Sequence, residues 1–346
     1  MSTVAIIGAG MMGTALCWPL SDNGHSIRLV GTPLDEAIIA GIRENRVHPR
    51  LQRPVPDGVH PFTHTQVAEA LHGVDFVTVG VSSFGVDWFV ESVGPRLMPG
   101  VPVIAVTKGL VDLPDSLLQT IPGYVQDRLQ GRISWNAIGG PCIAHELAAR
   151  RQTCVVFCGP DTKLLSELRD VFQTSYYHIW TSIDMVGVEV CAALKNAYAL
   201  AVGLAVGLME KAGPDGLARM YNPQAAIFAQ SCREMRRFLE LLGGGVENID
   251  WLPGPGDLYV TVFGGRTVRL GRLLGSGISY ADARRQMAGE TLESVEVITR
   301  IGRALPGLEA RGLVHPDEFP LMRLLHRIIH QGAPVDLPWD LFFHSL

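Results

Sequence analysis

Cysteine pairs are missing from this chain. Cys17, Cys142, Cys154, Cys158, Cys191 and Cys232 are scattered and no CxxC spacing occurs. They read as buried free thiols in a reducing compartment, so a cytoplasmic location and no bound metal are expected. A basic excess is missing too: the formal net charge is −5, which excludes a broad nucleic-acid-binding surface. Charged residues are scarce, at 18% against 47% apolar. That balance implies extensive burial, including a subunit interface, and a homodimer is expected. The N-terminal apolar run stops at a glycine turn after a few residues and does not read as a signal peptide. No internal repeat or low-complexity tract is visible.

One segment, Met185 to Met209, is long and apolar enough to suggest a membrane span, but it carries Glu189, Lys195 and Asn196. A lysine near the middle of a membrane helix costs roughly 2.5–3.5 kcal/mol. A buried core helix holding a functional lysine is the better reading, and no membrane span is expected.

What is present is an alternation. Apolar runs of strand length occur at Thr3–Gly8, Ser26–Gly31, Asp75–Val81, Pro102–Thr107, Ile133–Gly139, Thr153–Gly159 and Tyr176–Thr181. Helical spacing fills the gaps at Met11–Asn23, Leu34–Arg43, Val86–Leu97, Asp115–Arg128 and Lys163–Phe172. Alternation of this kind predicts a parallel sheet covered by helices on both faces. After Asp184 the strand pattern stops and the spacing predicts helices only: Val186–Lys211, Pro223–Leu242, Val268–Leu274, Tyr280–Ala288, Thr291–Ala304, Asp317–His330 and Trp339–His344. At 346 residues the chain exceeds what one core usually serves. The expectation is an α/β protein: a Rossmann-like, mostly parallel sheet domain over 1–183 and an all-α domain over 184–346. Pro253–Gly256 punctuates the helical half and is a reasonable place for a site.

Gly8-Ala9-Gly10-Met11-Met12-Gly13 is a GxGxxG motif set between an apolar strand and a helix. Gly8 permits the tight turn, Gly10 lets backbone N–H groups approach a pyrophosphate, and Gly13 lets the helix pack on the strand. The helix N-terminus supplies free donors and partial positive charge. A dinucleotide, NAD or NADP, is therefore expected. Specificity for NAD often comes with a carboxylate at the end of the second strand. Here Val30-Gly31-Thr32-Pro33 stands there, with no acid until Asp35. That favours NADP, with Thr32 donating to a 2′-phosphate and Arg28, Arg43 or Arg46 adding charge, unless these arginines are solvated surface groups.

Two lysines stand out. Lys195 lies on a helix that is apolar nearly all round, so it faces a polar cavity or a strong partner; a purely structural lysine is the alternative. Partial burial lowers a lysine pKa toward the range useful for proton transfer. Lys108 ends a buried strand, where the carboxyl edge of a parallel sheet faces ligands; a lysine capping a surface strand end is the alternative. The turn Gly139–Glu146 follows another strand and offers N–H groups to cofactor or substrate. Cys142 within it is not read as a nucleophile, and His145 reads as a surface histidine.

Taken in order, these stretches resemble the NAD(P)-dependent sn-glycerol-3-phosphate dehydrogenases: GAGMMGTA at the N-terminus, VSSFG at Val81–Gly85, VTKGL at Val106–Leu110, GGPCIAHE at Gly139–Glu146, GVEVCAALKNAYALAVGL at Gly187–Leu204, GPGDLYVT at Gly254–Thr261 and GGRTVRLGRLLGSG at Gly264–Gly277. The resemblance covers nearly the whole chain. It implies interconversion of sn-glycerol 3-phosphate and dihydroxyacetone phosphate, a small phosphorylated substrate. It implies that Lys195 is the general acid/base, that Asp257 orients and charges it, and that Lys108 contacts substrate. Arg266 would bind the substrate phosphate close to the cofactor, with Thr267, Gly265, Asn196, Thr261, Gly140 and Cys142 around the substrate. Phe84, Ala144 and Glu293 would lie against the cofactor beside Gly8, Gly10, Met11, Met12, Gly13 and Thr32. The chain departs from the pattern at Thr267, where the family usually has Asn, at Cys142, where Ser is frequent, and at Ser294, where Gly follows the glutamate. A hydroxyl offers one donor where an amide offers two. These departures fall on the substrate side and keep a related dehydrogenase, of another polyol or sugar phosphate or of a β-hydroxyacid, as the alternative. Retention of Lys108, Lys195, Asp257 and Arg266 argues against a non-catalytic nucleotide sensor.

Overall fold

A computed structural model describes residues 1–114, 117–213 and 221–343. The chain divides into two compact units, Met1–Lys108 with Ile121–Val188, and Gly109–Thr120 with Glu189–Leu346.

In chain order the strands are β1 (Thr3–Ile7), β2 (Ser26–Val30), β3 (Val47–His48), β4 (Arg53–Pro54), β5 (Val59–Phe62), β6 (Phe76–Val79), β7 (Pro102–Ala105), β8 (Leu110–Leu113), β9 (Leu117–Thr120), β10 (Ser134–Gly139), β11 (Thr153–Cys158) and β12 (Tyr177–Ser182). The first unit is built on an eight-stranded sheet ordered β12-β11-β10-β7-β6-β1-β2-β5. Its neighbours pair in parallel except β10 with β11, which are antiparallel. The central strands are apolar and β-branched, and Val4 to Ile7 of β1 are fully buried, as expected of a parallel sheet covered on both faces. The chain runs from β1 to β2 on one side and returns to β6 on the other. The order therefore reverses beside β1, where open α/β sheets bind ligands at the carboxyl ends of their strands.

Local chemistry explains several departures from the sequence-based expectation. The helix predicted over Met11–Asn23 is interrupted into Met11–Ala15 and Cys17–Asp22, because Pro19 has no N–H to give the Ala15 carbonyl one turn back. Val59–Phe62 carries Pro61 and was not recognised as a strand. It is the edge strand of the sheet, where a missing N–H is tolerated. The helix predicted from Asp115 starts only at Ile121. Leu117–Thr120 instead pairs antiparallel with Leu110–Leu113 as a hairpin, so tertiary pairing overrides the helical spacing. The start of that predicted helix, at Asp115 and Ser116, lies outside the described residues. The segment predicted as a helix over Val86–Leu97 is a short α-helix, a π turn and a 3-10 turn in succession.

Among the described residues the second unit is helical apart from the β8–β9 hairpin. Its main helices are Met185–Ala212, Tyr221–Leu242, Asp257–Val262, Gly265–Gly275, Tyr280–Gln286, Glu293–Ala310 and Pro320–Gln331. Met185–Ala212 is long and apolar enough to cross a membrane, yet 83% of its most apolar window is buried within this fold. It crosses Gly265–Gly275 glycine against glycine. A Cβ on Gly203 would lie 3.2 Å from the Gly271 Cα, and one on Gly207 only 2.1 Å from the Arg272 carbonyl oxygen. Only hydrogens at these positions allow the backbones to approach so closely.

Candidate active site

The carboxyl edge of the sheet carries the glycine turn. Gly8 sits at φ +109°, a region open to glycine, and a Cβ there would lie 2.8 Å from the Gly80 backbone. A Cβ on Gly13 would lie 2.3 Å from the Gly8 carbonyl oxygen. Gly8 and Gly13 are thus glycines for reasons internal to the fold. Gly10 is different. Its backbone is ordinary, φ −64° and ψ 171°, and a Cβ would meet nothing nearer than Gly80 O at 4.0 Å. Nothing inside the chain requires glycine here, and the space is open to a group approaching from outside. This open cradle at the start of the helix Met11–Ala15 fits the pyrophosphate of NAD or NADP. Gly80, which follows β6 and interlocks with Gly8 and Gly13, was missed in the sequence. Its signal was a glycine closing the run Asp75–Val81.

The other predicted residues of this unit follow strand ends on the same edge. Phe84 is exposed on the turn after β6. Lys108 is half-buried after β7, and the preceding Thr107 hydroxyl donates to the Val81 carbonyl at 2.8 Å, tying the two strand ends together. Gly140, Cys142 and Ala144 follow β10. Met11, Met12, Cys142 and Ala144 pack their side chains partly buried against the sheet's apolar core, which leaves their backbone groups as what they offer a ligand. His145 is exposed. Of the cysteines, Cys17, Cys158 and Cys191 are buried, whereas Cys142, Cys154 and Cys232 are half-buried, contrary to the expectation that all are buried; none forms a disulfide.

The 2′-phosphate reading of Thr32 and the three arginines is not what the side chains show. The chain turns back after β2, with the Asp35 N–H donating to the Thr32 carbonyl. Asp35 Oδ2 accepts hydrogen bonds from the Thr32 N–H at 2.9 Å, the Thr32 hydroxyl at 2.8 Å and the Ala9 N–H at 3.2 Å. A carboxylate therefore does stand at the end of the second strand, delivered by a tight turn. Arg28 donates to the Ala70 and His72 carbonyls, Arg43 to Pro61, and Arg46 to Val59 and Pro56. All three hold backbone in place.

In the second unit Lys195 and Asp257 form a hydrogen-bonded ion pair. Lys195 projects from the helix Met185–Ala212, and Asp257 is the first residue of Asp257–Val262, after the π turn Leu252–Gly256 that the Pro/Gly stretch forms. Asp257 is fully buried and the lysine side chain is 12% exposed, so the pair reaches solvent only from the lysine's side. Asn196 is half-buried beside it. The Thr261 hydroxyl donates to the Asp257 carbonyl at 2.6 Å, steadying the helix that carries the acid. Two residues after that helix begins Gly265–Gly275, with Arg266 exposed and Thr267 half-buried in its first turn. Its N-cap is Gly264, which offers no side-chain hydrogen bond, and the first turn has no acid. A Cβ on Gly264 or Gly265 would meet nothing within 4 Å. An uncapped helix start, an arginine and open space are features that suit an anion. Glu293 is half-buried in the first turn of Glu293–Ala310.

Comparison with known proteins agrees with this geometry. Residues 3–164 match the family described as NAD-dependent glycerol-3-phosphate dehydrogenase N-terminus, and residues 184–339 match its C-terminus. The NADP(+)-dependent glycerol-3-phosphate dehydrogenase of Archaeoglobus fulgidus is 33% identical over 335 residues, covering 96% of each chain. A glycerol-3-phosphate dehydrogenase [NAD(P)+] of Halorhodospira halophila is 31% identical over 340 residues, covering 97% of this chain and 94% of that one. The crystal structure of glycerol-3-phosphate dehydrogenase from Coxiella burnetii superposes with a TM-score of 0.82 at 26% identity, over 98% of this chain and 97% of that one.

Proposed function

Because the chain belongs to the NAD-dependent glycerol-3-phosphate dehydrogenase family, we propose that it interconverts sn-glycerol 3-phosphate and dihydroxyacetone phosphate with NAD or NADP. The observation that carries this reading is the Lys195–Asp257 pair, with its carboxylate fully buried and its lysine partly exposed, on the same unit as an uncapped helix start bearing Arg266. When bound, the reduced nucleotide supplies the hydride that adds to C2 of the ketone. Arg266, Thr267 and the first N–H groups of Gly265–Gly275 hold the phosphate through charge-assisted hydrogen bonds, and this distal anchor orients C2. As negative charge grows on the former carbonyl oxygen, the Lys195 ammonium gives it a proton. Asp257 keeps that ammonium oriented and charged until the transfer. Lys108, which follows β7, is read as a substrate-contacting lysine whose charge favours an oxyanion. In the reverse direction Lys195 takes the hydroxyl proton.

Two observations bear on the nucleotide in this reading: the NADP(+) dependence of the Archaeoglobus fulgidus relative favours NADPH, and the Asp35 carboxylate at the end of β2 favours NADH. A homodimer in the cytoplasm completes it, supported by the scarcity of charge and the absence of disulfides.

The test is Lys195→Arg. Arginine keeps the charge beside Asp257 but does not release its proton near neutral pH. Turnover of dihydroxyacetone phosphate is expected to fall by roughly 10²–10⁴, the range of general acid catalysis, while nucleotide affinity stays unchanged. A variant retaining more than about a tenth of wild-type turnover would remove Lys195 from proton transfer.

A further inference from the structure

Hydride transfer does not use His48, yet its imidazole reaches the glycine turn. The residue is fully buried. Its Nδ1 accepts hydrogen bonds from the backbone N–H of Arg50 at 3.2 Å and of Leu51 at 3.1 Å. A ring nitrogen that accepts N–H bonds carries no proton, so the proton sits on Nε2. Nε2–H therefore donates to the Ala9 carbonyl, 3.0 Å away. Burial holds the ring's pKa below the ordinary imidazole value, so it stays neutral.

Ala9 is the residue between the two leading glycines of the motif, where the backbone is least restrained by its own side chains. Both of its polar groups are held by other residues. The N–H donates to Asp35, and the carbonyl accepts from His48 and from the Thr14 hydroxyl at 3.2 Å. The Ala9 carbonyl and the Gly10 N–H share one planar trans peptide, in which they point in opposite directions. Drawing the carbonyl onto the buried His48 turns the Gly10 N–H away from it, and around Gly10 a side chain would find open space.

We propose that His48 is a positioning residue of the dinucleotide site: by anchoring the Ala9 carbonyl it aims the Gly10 N–H at the pyrophosphate. The inference rests on the NAD(P) reading above. Asp35 and Thr14 hold the same residue, Thr14 directly after the motif, and Asp35 and His48 from farther along the chain.

His48→Asn keeps an acceptor for Arg50 and Leu51 but is too short to reach Ala9. His48→Gln places an amide N–H where Nε2–H stands. Dissociation constants for NADPH and for ADP-ribose, which shares the pyrophosphate, are measured by calorimetry beside steady-state kinetics. Loss of one positioning hydrogen bond is expected to weaken both ligands about tenfold in His48→Asn. KM for NADPH rises with it, kcat and KM for dihydroxyacetone phosphate hold, and His48→Gln recovers most of the affinity. Wild-type affinity in a folded His48→Asn would overturn the inference, as would a uniform fall in kcat without a change in affinity. Nitrogen-15 NMR of the histidine-labelled wild-type protein needs no variant to fold. It is expected to show His48 protonated on Nε2 and shifted by NADPH; a ring protonated on Nδ1 overturns the proposal. If the wild-type chain binds neither nucleotide, the dehydrogenase reading fails and this inference with it.

Discussion

Lys195 owes its place to Asp257 and to the apolar helix around it. A buried carboxylate without a partner costs several kcal/mol, so the pair holds itself together, with the lysine as its partly exposed member. The lysine was legible in the sequence because a charge on a helix apolar all round needs an explanation. Asp257 was legible only through the family resemblance, since nothing in the spacing links two positions 62 residues apart. Thr32 and the three arginines were misjudged for a reason of the same kind. A four-residue turn returns Asp35 to the strand end, and the arginines find carbonyls that sequence distance conceals. His48 carries no spacing signal at all, and Gly80 only that of a glycine near the end of an apolar run. At this scale Arg266→Ala is the informative change. Hydrogen bonds between charged groups contribute about 1.5–3 kcal/mol, so KM for dihydroxyacetone phosphate is expected to rise roughly 10- to 100-fold. Unchanged kcat/KM would place the phosphate elsewhere.

The crossing of Met185–Ala212 with Gly265–Gly275 links these residues through an element. Gly203 and Gly207 face Gly271 and Gly275, so the helix bearing Lys195 and the helix bearing Arg266 are fixed against each other at backbone distance. Gly207→Ala puts a methyl 2.1 Å from the Arg272 carbonyl oxygen. Forced separation of packed helices costs about 1–3 kcal/mol, so the melting temperature is expected to drop by several degrees; an unchanged value would contradict the close crossing. A second element-level expectation concerns Glu234. Its buried carboxylate accepts the N–H groups of Leu321 and Met322 at the start of Pro320–Gln331, and the Gln230 amide and Tyr198 hydroxyl as well. Burial outweighs these bonds and raises its pKa from 4.5 to about 7. The folded state then binds more protons than the unfolded one between those values, so this group's contribution to stability falls as pH rises through that window. His25, His48 and His326, held below the ordinary imidazole value, act in the opposite direction. The comparison is therefore with Glu234→Gln: wild-type stability, measured by denaturant unfolding, is expected to decline more with rising pH than the variant's. Parallel pH profiles would contradict the assignment. The long helices were legible from their periodicity. The β8–β9 hairpin was not, because Leu117–Thr120 is a strand only through its pairing with Leu110–Leu113.

For the whole molecule, alternation of apolar runs and helical spacing was enough to read a mostly parallel sheet; that the glycine turn lies at the strand-order reversal came from the structure. It was not enough to read the antiparallel β10–β11 step or the edge strand with its proline. Nor did it reveal that Gly109–Thr120 joins the helical unit, since that assignment depends on packing far along the chain. The glycine turn and the Lys195–Asp257 pair converge on one reaction, and the direct test is the initial rate of nucleotide oxidation. Dihydroxyacetone phosphate and unphosphorylated dihydroxyacetone are supplied in parallel, each with NADPH and with NADH. The account expects rapid oxidation with the phosphorylated ketone and a much lower kcat/KM without the phosphate, and the ratio of the two nucleotides' rates decides between them. Bound nucleotide with no oxidation on dihydroxyacetone phosphate would contradict it.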